Sequence, residues 1–291
     1  MLSASAMPLG APEAARTRLA VLGAPISHSL SPVIHRAAYD ALGFDWQYDP
    51  IELTGESLPE FLRTLDSRWR GLSLTMPLKR DVVPLLDWVD PLVDLVGGAN
   101  TVLITNAGLR GFNTDVEGAM RSFLDAGIGH LDSVWILGAG ATAASLLVAS
   151  ARLGATNVEI VARTPSKAAV LDELGRTLGV SVSVRRWGDE SSTEAPPTAI
   201  ISTIPGGVMD LNFAGSVRTT TALFDVAYDP WPSAIADDWY AVGGTVISGH
   251  DLLINQAIAQ VRIFANGSPD QPLLREADAI DAMRNALEST Q

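Results

Sequence analysis

The chain has 291 residues, of which 47% are hydrophobic and 18% charged, and its formal net charge is −13. This length predicts one large or two ordinary domains, and the hydrophobic content is ample for buried cores. The excess of acidic residues argues against nucleic-acid or anionic-membrane binding, because both require a basic surface.

The chain contains no cysteine, which excludes a disulfide framework, a thiol nucleophile and a Cys-ligated metal. The four histidines, at positions 28, 35, 130 and 250, lack the spacing of metal ligands, so we expect no metal site. Residues 1–16 have neither the basic start nor the apolar stretch of a signal peptide, and we interpret them as a loose tail. We expect a cytoplasmic protein without a membrane span.

Strands and helices alternate in the first part of the chain. The pattern predicts strands at 18–23, 46–53 and 71–75, helices at 32–42 and 57–67, and a hairpin at 101–112. Ser31 and Ser57 are predicted to cap the two helices, with Pro32 at the first helical position. This alternation indicates an α/β domain.

A helix at 115–126 is predicted to lead into a second unit of the same kind. The pattern predicts mostly parallel strands at 134–137, 158–161, 180–185, 199–203, 222–226 and 245–247. It predicts helices at 141–153 and 165–178, the second capped by Thr164, a polar loop at 188–197 and a closing helix at 250–265. The pattern therefore predicts an α/β fold with two units.

A glycine-containing turn follows the first strand of the second unit. Gly138-Ala139-Gly140-Ala141-Thr142-Ala143 fits G-x-G-x-x-A and opens a helix, as in dinucleotide-binding domains. Gly138 permits the tight turn, and Gly140 lets a pyrophosphate approach the backbone at the helix N-terminus. Glycines alone would also suit an ordinary strand–helix turn, but the strand–turn–helix context favours a nucleotide site.

The end of the next strand indicates the type of cofactor. NAD-binding domains usually place an acidic residue there, whereas this chain has Arg163, Thr164 and Lys167 and no acid. A guanidinium, a hydroxyl and an ammonium suit a 2′-phosphate, so NADP is favoured. The alternative is that Arg163 and Lys167 are ordinary solvated residues at a helix start.

Two further segments carry groups suited to acid–base chemistry and anion binding. Lys79 follows a strand and Asp115 follows the hairpin, and such a pair can transfer a proton. Ser29 and Ser31 offer two hydroxyls for a carboxylate. The alternatives are a surface lysine, an N-cap role for Asp115, and capping by Ser31. His28 is interpreted as structural or orienting rather than as a base.

From Leu19 to about Gly267, the chain resembles the shikimate dehydrogenase family. The matching segments are 21–32, Leu74-Thr75-Met76-Pro77-Leu78-Lys79, Gly98-Ala99-Asn100-Thr101, 111–115, the Gly138 turn, Ala162-Arg163-Thr164 and 249–257. The resemblance implies NADP-dependent interconversion of 3-dehydroshikimate and shikimate in chorismate and aromatic amino-acid biosynthesis, by a monomer or homodimer.

The resemblance also implies domains and a role for each matching residue. The substrate domain would comprise 17–114 plus 248–291, the Rossmann-type NADP domain 115–247, and the active site would lie in the cleft between them. Lys79 and Asp115 would be the acid–base pair and also hold ring hydroxyls. The other implied substrate contacts are Ser29 and Ser31 with the carboxylate, Tyr228 near it, and Thr75, Asn100 and Gln256 with ring hydroxyls. Thr203, Val226 and Gly249 would line the nicotinamide side.

One position departs from the resemblance. The family commonly has Asn two residues before the motif Thr, where this chain has Ser73. The shorter Ser73 is expected to lack a direct contact with substrate. Three alternatives stay open: an NAD-dependent quinate/shikimate dehydrogenase, an aminoshikimate-type paralogue, and a non-catalytic NADP-binding regulatory module.

Overall fold

The computed structural model describes residues 16–189, 195–204 and 213–290. Of the predicted N-terminal tail only Arg16 lies within this part, and the predicted loop at 188–197 is described only at its two ends. None of the helices in the described residues is long and apolar enough to cross a bilayer.

Two six-stranded sheets form the framework of the described residues. Their strands are β1 (Thr17–Gly23), β2 (Trp46–Glu52), β3 (Trp69–Leu74), β4 (Trp88–Val89), β5 (Thr101–Thr105), β6 (Gly108–Phe112), β7 (Ser133–Leu137), β8 (Asn157–Ala162), β9 (Ser181–Arg186), β10 (Ala199–Ser202), β11 (Ala222–Asp225) and β12 (Val246–Ile247). The first sheet has the order β2-β1-β3-β5-β6-β4, and β5 is antiparallel to β3 and β6. The second has the order β12-β11-β10-β7-β8-β9 and all its pairs are parallel.

Helices cover both sheets. The α-helices of the described residues are α1 (Ser31–Leu42), α2 (Leu58–Arg63), α3 (Leu78–Asp81), α4 (Pro91–Val96), α5 (Asp115–Asp125), α6 (Ala141–Arg152), α7 (Ala169–Leu178), α8 (Gly215–Thr220), α9 (Ala234–Tyr240), α10 (Gly249–Asn266) and α11 (Glu276–Glu288). Short 3-10 helices lie at Val83–Leu85 and Pro165–Ala168. The predicted α/β class with two units is confirmed, while the proposed domain boundaries at 114/115 and 247/248 stay a prediction.

Of the predicted helix caps, Ser31 is wrong, whereas Ser57 and Thr164 occupy N-cap positions without making a capping hydrogen bond. Helix α1 begins at Ser31 with Leu30 as its N-cap, so Ser31 lies inside the first turn. Ser57 precedes α2 but has helical φ/ψ angles and accepts no capping hydrogen bond. An N-cap hydroxyl accepts from the N–H groups of the first turn when the N-cap backbone is extended. The helical backbone of Ser57 explains why this hydrogen bond is missing there. Thr164 precedes only a 3-10 helix and likewise makes no capping bond.

The side chains of each sheet alternate between two packed faces. In the second sheet, Val134, Ile136 and Ile160 belong to one buried cluster, whereas Leu137 and Val161 belong to another on the opposite face. Helix α10 packs against α5, α1 and α11. The contact between α10 and α5 ties the C-terminal helices to the entrance of the second unit, beside the cleft.

Candidate active site

A cavity of about 200 Å³ lies where the carboxyl ends of strands from both sheets meet. Thr75 follows β3, Val226 follows β11, and Thr142 follows the turn after β7. All eight residues predicted to contact substrate line this cavity: Ser29, Ser31, Thr75, Lys79, Asn100, Asp115, Tyr228 and Gln256. Segments far apart in the chain are thus brought together around one small cavity.

Lys79 and Asp115 form an ion pair in the wall of the cavity. Nζ of Lys79 lies 2.6 Å from Oδ2 of Asp115, and their side chains are 14% and 7% exposed. Lys79 is placed by the short helix α3 after β3, and Asp115 is the first residue of α5. A helix N-terminus favours an anion, so α5 supports the charged carboxylate. Asp115 is the first residue of α5 and does not cap it, because Thr114 occupies the N-cap position.

Asn100 fixes the other oxygen of that carboxylate. Its Nδ2 donates to Oδ1 of Asp115 at 2.7 Å. Its Oδ1 accepts from the Thr114 N–H at 2.9 Å and from the Thr101 hydroxyl at 2.8 Å. These two hydrogen bonds fix the orientation of the amide. Its oxygen accepts from Thr101 and Thr114, so its Nδ2 group, the only donor, faces Asp115. Both Asp115 oxygens are therefore held, one by an amide and one by Lys79.

Ser29, Ser31 and Tyr228 bring further hydroxyl groups to the wall of the cavity. The Ser31 N–H donates a long bond of 3.4 Å to Oγ of Ser29. Within the described residues, the Ser31 hydroxyl and the Tyr228 hydroxyl have no hydrogen-bond partner, which leaves both available to a ligand. Burial raises the pKa of Tyr228, and the negative charge of Asp229 raises it further. Tyr228 is therefore a neutral donor at ordinary pH.

Ser73 lines the cavity floor, but its hydroxyl is occupied within the protein. It accepts from the Tyr48 hydroxyl at 2.7 Å and donates to Oε1 of Gln260 at 2.8 Å. Sequence reasoning singled out Ser73 and missed Tyr48 and Gln260. The available signal was spacing, because Gln260 lies four residues after Gln256 and so shares its face of α10.

His35 lies behind this floor and is fully buried. Its Nε2 is 3.1 Å from Oε1 of Gln260, its Nδ1 is 3.0 Å from the Tyr39 hydroxyl, and its ring stacks on Tyr48 at 4.1 Å. Burial lowers the pKa of His35 to about 3, and the hydrogen bond to Gln260 offsets only part of this shift. With Gln260 as acceptor, a neutral His35 carries its proton on Nε2.

A second cavity, of about 530 Å³, adjoins the first and shares Ser29, Thr75, Val226 and Tyr228 with it. Thr203 lines this second cavity, and Gly249 lines the first. His28 lies at its edge, largely exposed, with Nδ1 3.3 Å from Oδ2 of Asp229. The residues predicted to line the nicotinamide side are therefore contiguous with the substrate cavity.

The turn after β7 has the properties that a dinucleotide requires. Gly138 has φ +115°, and a Cβ there would lie 2.2 Å from Oγ1 of Thr203. A Cβ at Gly140 would meet nothing within 4 Å, so open space faces this backbone. Gly140 is the N-cap of α6 and has no side-chain cap, so the first N–H groups of α6, from Ala141 onward, are free to bind phosphate.

The residues beyond β8 suit a second phosphate. Arg163, Thr164 and Lys167 are all exposed, and the side chains of Arg163 and Lys167 form no ion pair within the described residues. No acidic residue occurs between positions 163 and 167 to bind ribose hydroxyls or to repel a phosphate. The residues present fit NADP better than NAD. Within the described residues, no cluster of three or more His, Asp or Glu could hold a metal.

A dinucleotide-type turn beside a pocket with a Lys–Asp pair defines a nicotinamide-dependent oxidoreductase of the two-domain α/β class. A family model described as the shikimate dehydrogenase substrate binding domain matches residues 21–102. The chain belongs to the shikimate dehydrogenase family, as the sequence predicted.

Relatives and solved structures agree over nearly the whole chain. A curated shikimate dehydrogenase (NADP(+)) of Thermus thermophilus is 31% identical over 89% of this chain and 97% of its own length. The crystal structure of Mycobacterium tuberculosis shikimate dehydrogenase is 36% identical, with TM-score 0.81 over 94% of this chain and 99% of that one. A Thermus thermophilus shikimate 5-dehydrogenase structure in complex with NADP(H) and shikimate is 28% identical, with TM-score 0.75 over 92% and 99%.

Proposed function

We propose that this chain catalyses the reversible, NADPH-dependent reduction of 3-dehydroshikimate to shikimate, a step of chorismate and aromatic amino-acid biosynthesis. The observation that carries the proposal is the cavity itself. It gathers eight predicted substrate contacts and, beside them, Thr142, Val226 and Gly249 of the predicted cofactor side. The relatives named shikimate dehydrogenase (NADP(+)) support the same activity.

Lys79 is the proton donor in this proposal. NADPH, when bound against the second cavity, supplies the hydride. Nζ of Lys79 delivers the proton to the carbonyl oxygen of the ring on reduction and takes it back from the hydroxyl on oxidation. Its contact with Asp115 at 2.6 Å holds the amine in place and balances its charge. Such acid–base assistance typically contributes about 10²–10⁴ in rate.

The remaining polar groups orient the substrate. Asn100 fixes the Asp115 carboxylate, so that Lys79 meets a carboxylate of one defined orientation. Ser29 and Ser31 bind the substrate carboxylate, with the neutral Tyr228 as a further donor near it. Thr75, Asn100 and Gln256 bind ring hydroxyls. In this division of roles, hydroxyl donors meet the carboxylate of the substrate, whereas the carboxylate of Asp115 would repel it.

Two groups of hydrogen-bond donors bind the nucleotide in this proposal. The N–H groups at the start of α6, with Gly138, Ala139 and Gly140 in the turn, bind the pyrophosphate. Arg163, Thr164 and Lys167 bind the 2′-phosphate, which makes NADP the cofactor. No feature of the cavity favours quinate with NAD, an aminoshikimate-type substrate or a non-catalytic regulatory module over this assignment, and Ser31, less bulky than Thr, mildly favours shikimate over quinate.

The experiment is an oxidation assay with four mixtures. The protein is incubated with shikimate or quinate, each with NADP⁺ or NAD⁺, and the absorbance of the reduced nicotinamide is followed. A Lys79→Met preparation, purified in the same way, serves as the blank for contaminating dehydrogenases. Activity with shikimate and NADP⁺ far above the other three mixtures supports the proposal. Preferred turnover of quinate with NAD⁺, or no turnover in any mixture, contradicts it.

A further inference from the structure

Strand β9 ends in two arginines with different surroundings. Nε of Arg185 lies 2.7 Å from Oε1 of Glu159, and its guanidinium lies 5.4 Å from the centre of the Trp135 ring. The Arg186 side chain is exposed and has no hydrogen bond, ion pair or ring contact within the described residues. Successive side chains of a strand leave opposite faces, so Arg186 cannot share the partners of Arg185.

The register of the sheet places Arg186 beside the predicted 2′-phosphate residues. Arg186 pairs with Ala162 at the last position of β8, and Arg163 is the next residue along the chain. The Trp187 N–H donates to the Ala162 carbonyl at 3.1 Å, which continues the pairing past the strand end. Paired strands run about 4.8 Å apart, so the two arginines begin from neighbouring backbone positions.

Arg186 also lies on the same face of the sheet as Lys167. Val182 has the same parity along β9, and it packs against α7 at Gly175. The same strand contacts the 3-10 helix Pro165–Ala168, which carries Lys167 and leads into α7. Arg186 therefore extends on the side of the sheet where Lys167 stands. Three cations, Arg163, Lys167 and Arg186, converge at the carboxyl end of β8.

This concentration of free cations contrasts with the rest of the chain. In the described residues, Arg and Lys side chains mostly pair with carboxylates, lie on aromatic rings or donate to backbone carbonyls. The basic side chains of the described part that have none of these partners are Arg63, Arg80, Arg152, Arg163, Lys167 and Arg186. Half of them thus meet at one corner of a chain with net charge −13. Unpaired like charges repel one another, and a doubly charged anion relieves that repulsion.

We infer that Arg186 is a third cation for the 2′-phosphate of NADP and a determinant of the preference for NADP over NAD. The inference rests on the cofactor assignment of the proposed function and adds a residue to it. The motif around Arg163 could not reveal Arg186, because the two are brought together only by the pairing of β8 with β9. A planar guanidinium can bind two phosphate oxygens at once, which gives Arg186 both charge and geometry for this role.

The test is a binding measurement that needs no catalysis. The affinities of adenosine 2′,5′-bisphosphate and adenosine 5′-monophosphate are measured by calorimetry for the unchanged protein, Arg186→Ala and Arg63→Ala. Arg63 is exposed and unpaired on α2, away from both cavities, so its substitution removes the same charge elsewhere. We expect Arg186→Ala to weaken the bisphosphate about tenfold or more and to leave the monophosphate unchanged. Arg63→Ala should change neither.

A conservative variant and two contrary results complete the test. Arg186→Lys should recover part of the lost affinity, because it restores the charge without the planar fork. Bisphosphate binding by Arg186→Ala equal to that of the unchanged protein overturns the role of Arg186 and leaves the NADP-dependent activity standing. Equal affinity of the unchanged protein for the two nucleotides overturns the NADP assignment, and the inference with it.

Discussion

Oγ of Ser73 donates a hydrogen bond of 2.8 Å to Oε1 of Gln260, although the two residues are 187 positions apart. The side-chain amide of Gln260 in turn donates to the backbone carbonyl of Asn100 at 3.1 Å and to the Thr101 hydroxyl at 3.0 Å. Because Asn100 holds the Asp115 carboxylate, the cavity floor is linked by continuous hydrogen bonds to the Lys79–Asp115 pair. The Ser73 hydroxyl on the cavity floor therefore belongs to a hydrogen-bond network within the protein and is not left free to bind a ligand.

Removing the Ser73 hydroxyl should therefore affect stability more than substrate binding. Ser73→Ala leaves the Tyr48 hydroxyl without its acceptor and leaves His35 as the remaining donor to Oε1 of Gln260, at a cost of about 1–3 kcal/mol in the free energy of unfolding. The KM for shikimate should change less than about threefold. Urea unfolding and steady-state kinetics measure the two quantities. Ser57→Ala, which removes an exposed hydroxyl without a capping bond, should change stability by no more than about 0.5 kcal/mol. A large rise in KM for Ser73→Ala with unchanged stability would mean that Ser73 binds substrate directly.

His35 should make the protein less stable in mild acid. Its pKa is about 3 when folded and about 6.5 when unfolded. As the pH falls, His35 is protonated in the unfolded chain before it is protonated in the folded protein. The contribution of neutral His35 to the free energy of unfolding is therefore complete above pH 6.5 and is lost as the pH falls towards 3. Between pH 7 and pH 5 the contribution falls by about 2 kcal/mol.

Other groups also titrate in this range, so the measurement is a difference. The free energy of unfolding is compared with that of His35→Gln at both pH values, because glutamine does not ionise. The advantage of the unchanged protein over His35→Gln should shrink by about 2 kcal/mol from pH 7 to pH 5. A constant advantage would show that His35 titrates alike in the folded and unfolded states.

Gly118 sets the distance between α5 and α10. A Cβ at this position would lie 2.8 Å from the backbone N and 3.0 Å from Cα of Gln256. Those atoms belong to helix backbone and cannot move separately, so Gly118→Ala should push α10 away and displace Gln256. We expect a loss of about 1–3 kcal/mol in stability together with a raised KM for shikimate. Gly215→Ala, where a Cβ would meet nothing within 4 Å, is the matched control. Equal behaviour of the two variants would exclude a positioning role for Gly118.

Local patterns in the sequence were enough to predict the α/β fold, the turn at Gly138 and four polar residues of the cavity, Ser29, Ser31, Lys79 and Asp115, whereas the other predicted substrate contacts came from the family resemblance. Each of these depends on a short segment, and the shared edge of parallel strands brings such segments together. The N-cap at Ser31 was predicted one position too late, and Ser57 and Thr164 occupy their predicted N-cap positions without a capping hydrogen bond. Residue type alone does not fix the local backbone geometry that such a bond requires.

Contacts between distant segments could not be predicted in this way. His35 and Gln260 are 225 positions apart, and nothing local to either residue indicates the other. Helix α11 was not predicted, although it packs against α1 and encloses the core on that side. Arg186 joins Arg163 only through strand register. The roles of individual cavity residues stay predictions until variants are measured.

If Lys79 transfers the proton, its replacement by methionine removes the proton donor, and the turnover of Lys79→Met is the decisive measurement. Arg80→Met is the matched control, because Arg80 is the next residue of α3, is exposed and carries the same charge. We expect kcat of Lys79→Met with shikimate and NADP⁺ to fall by about 10²–10⁴. Its dissociation constant for shikimate should change less than about tenfold, and Arg80→Met should behave as the unchanged protein. Turnover of Lys79→Met equal to that of Arg80→Met would exclude Lys79 as the proton donor.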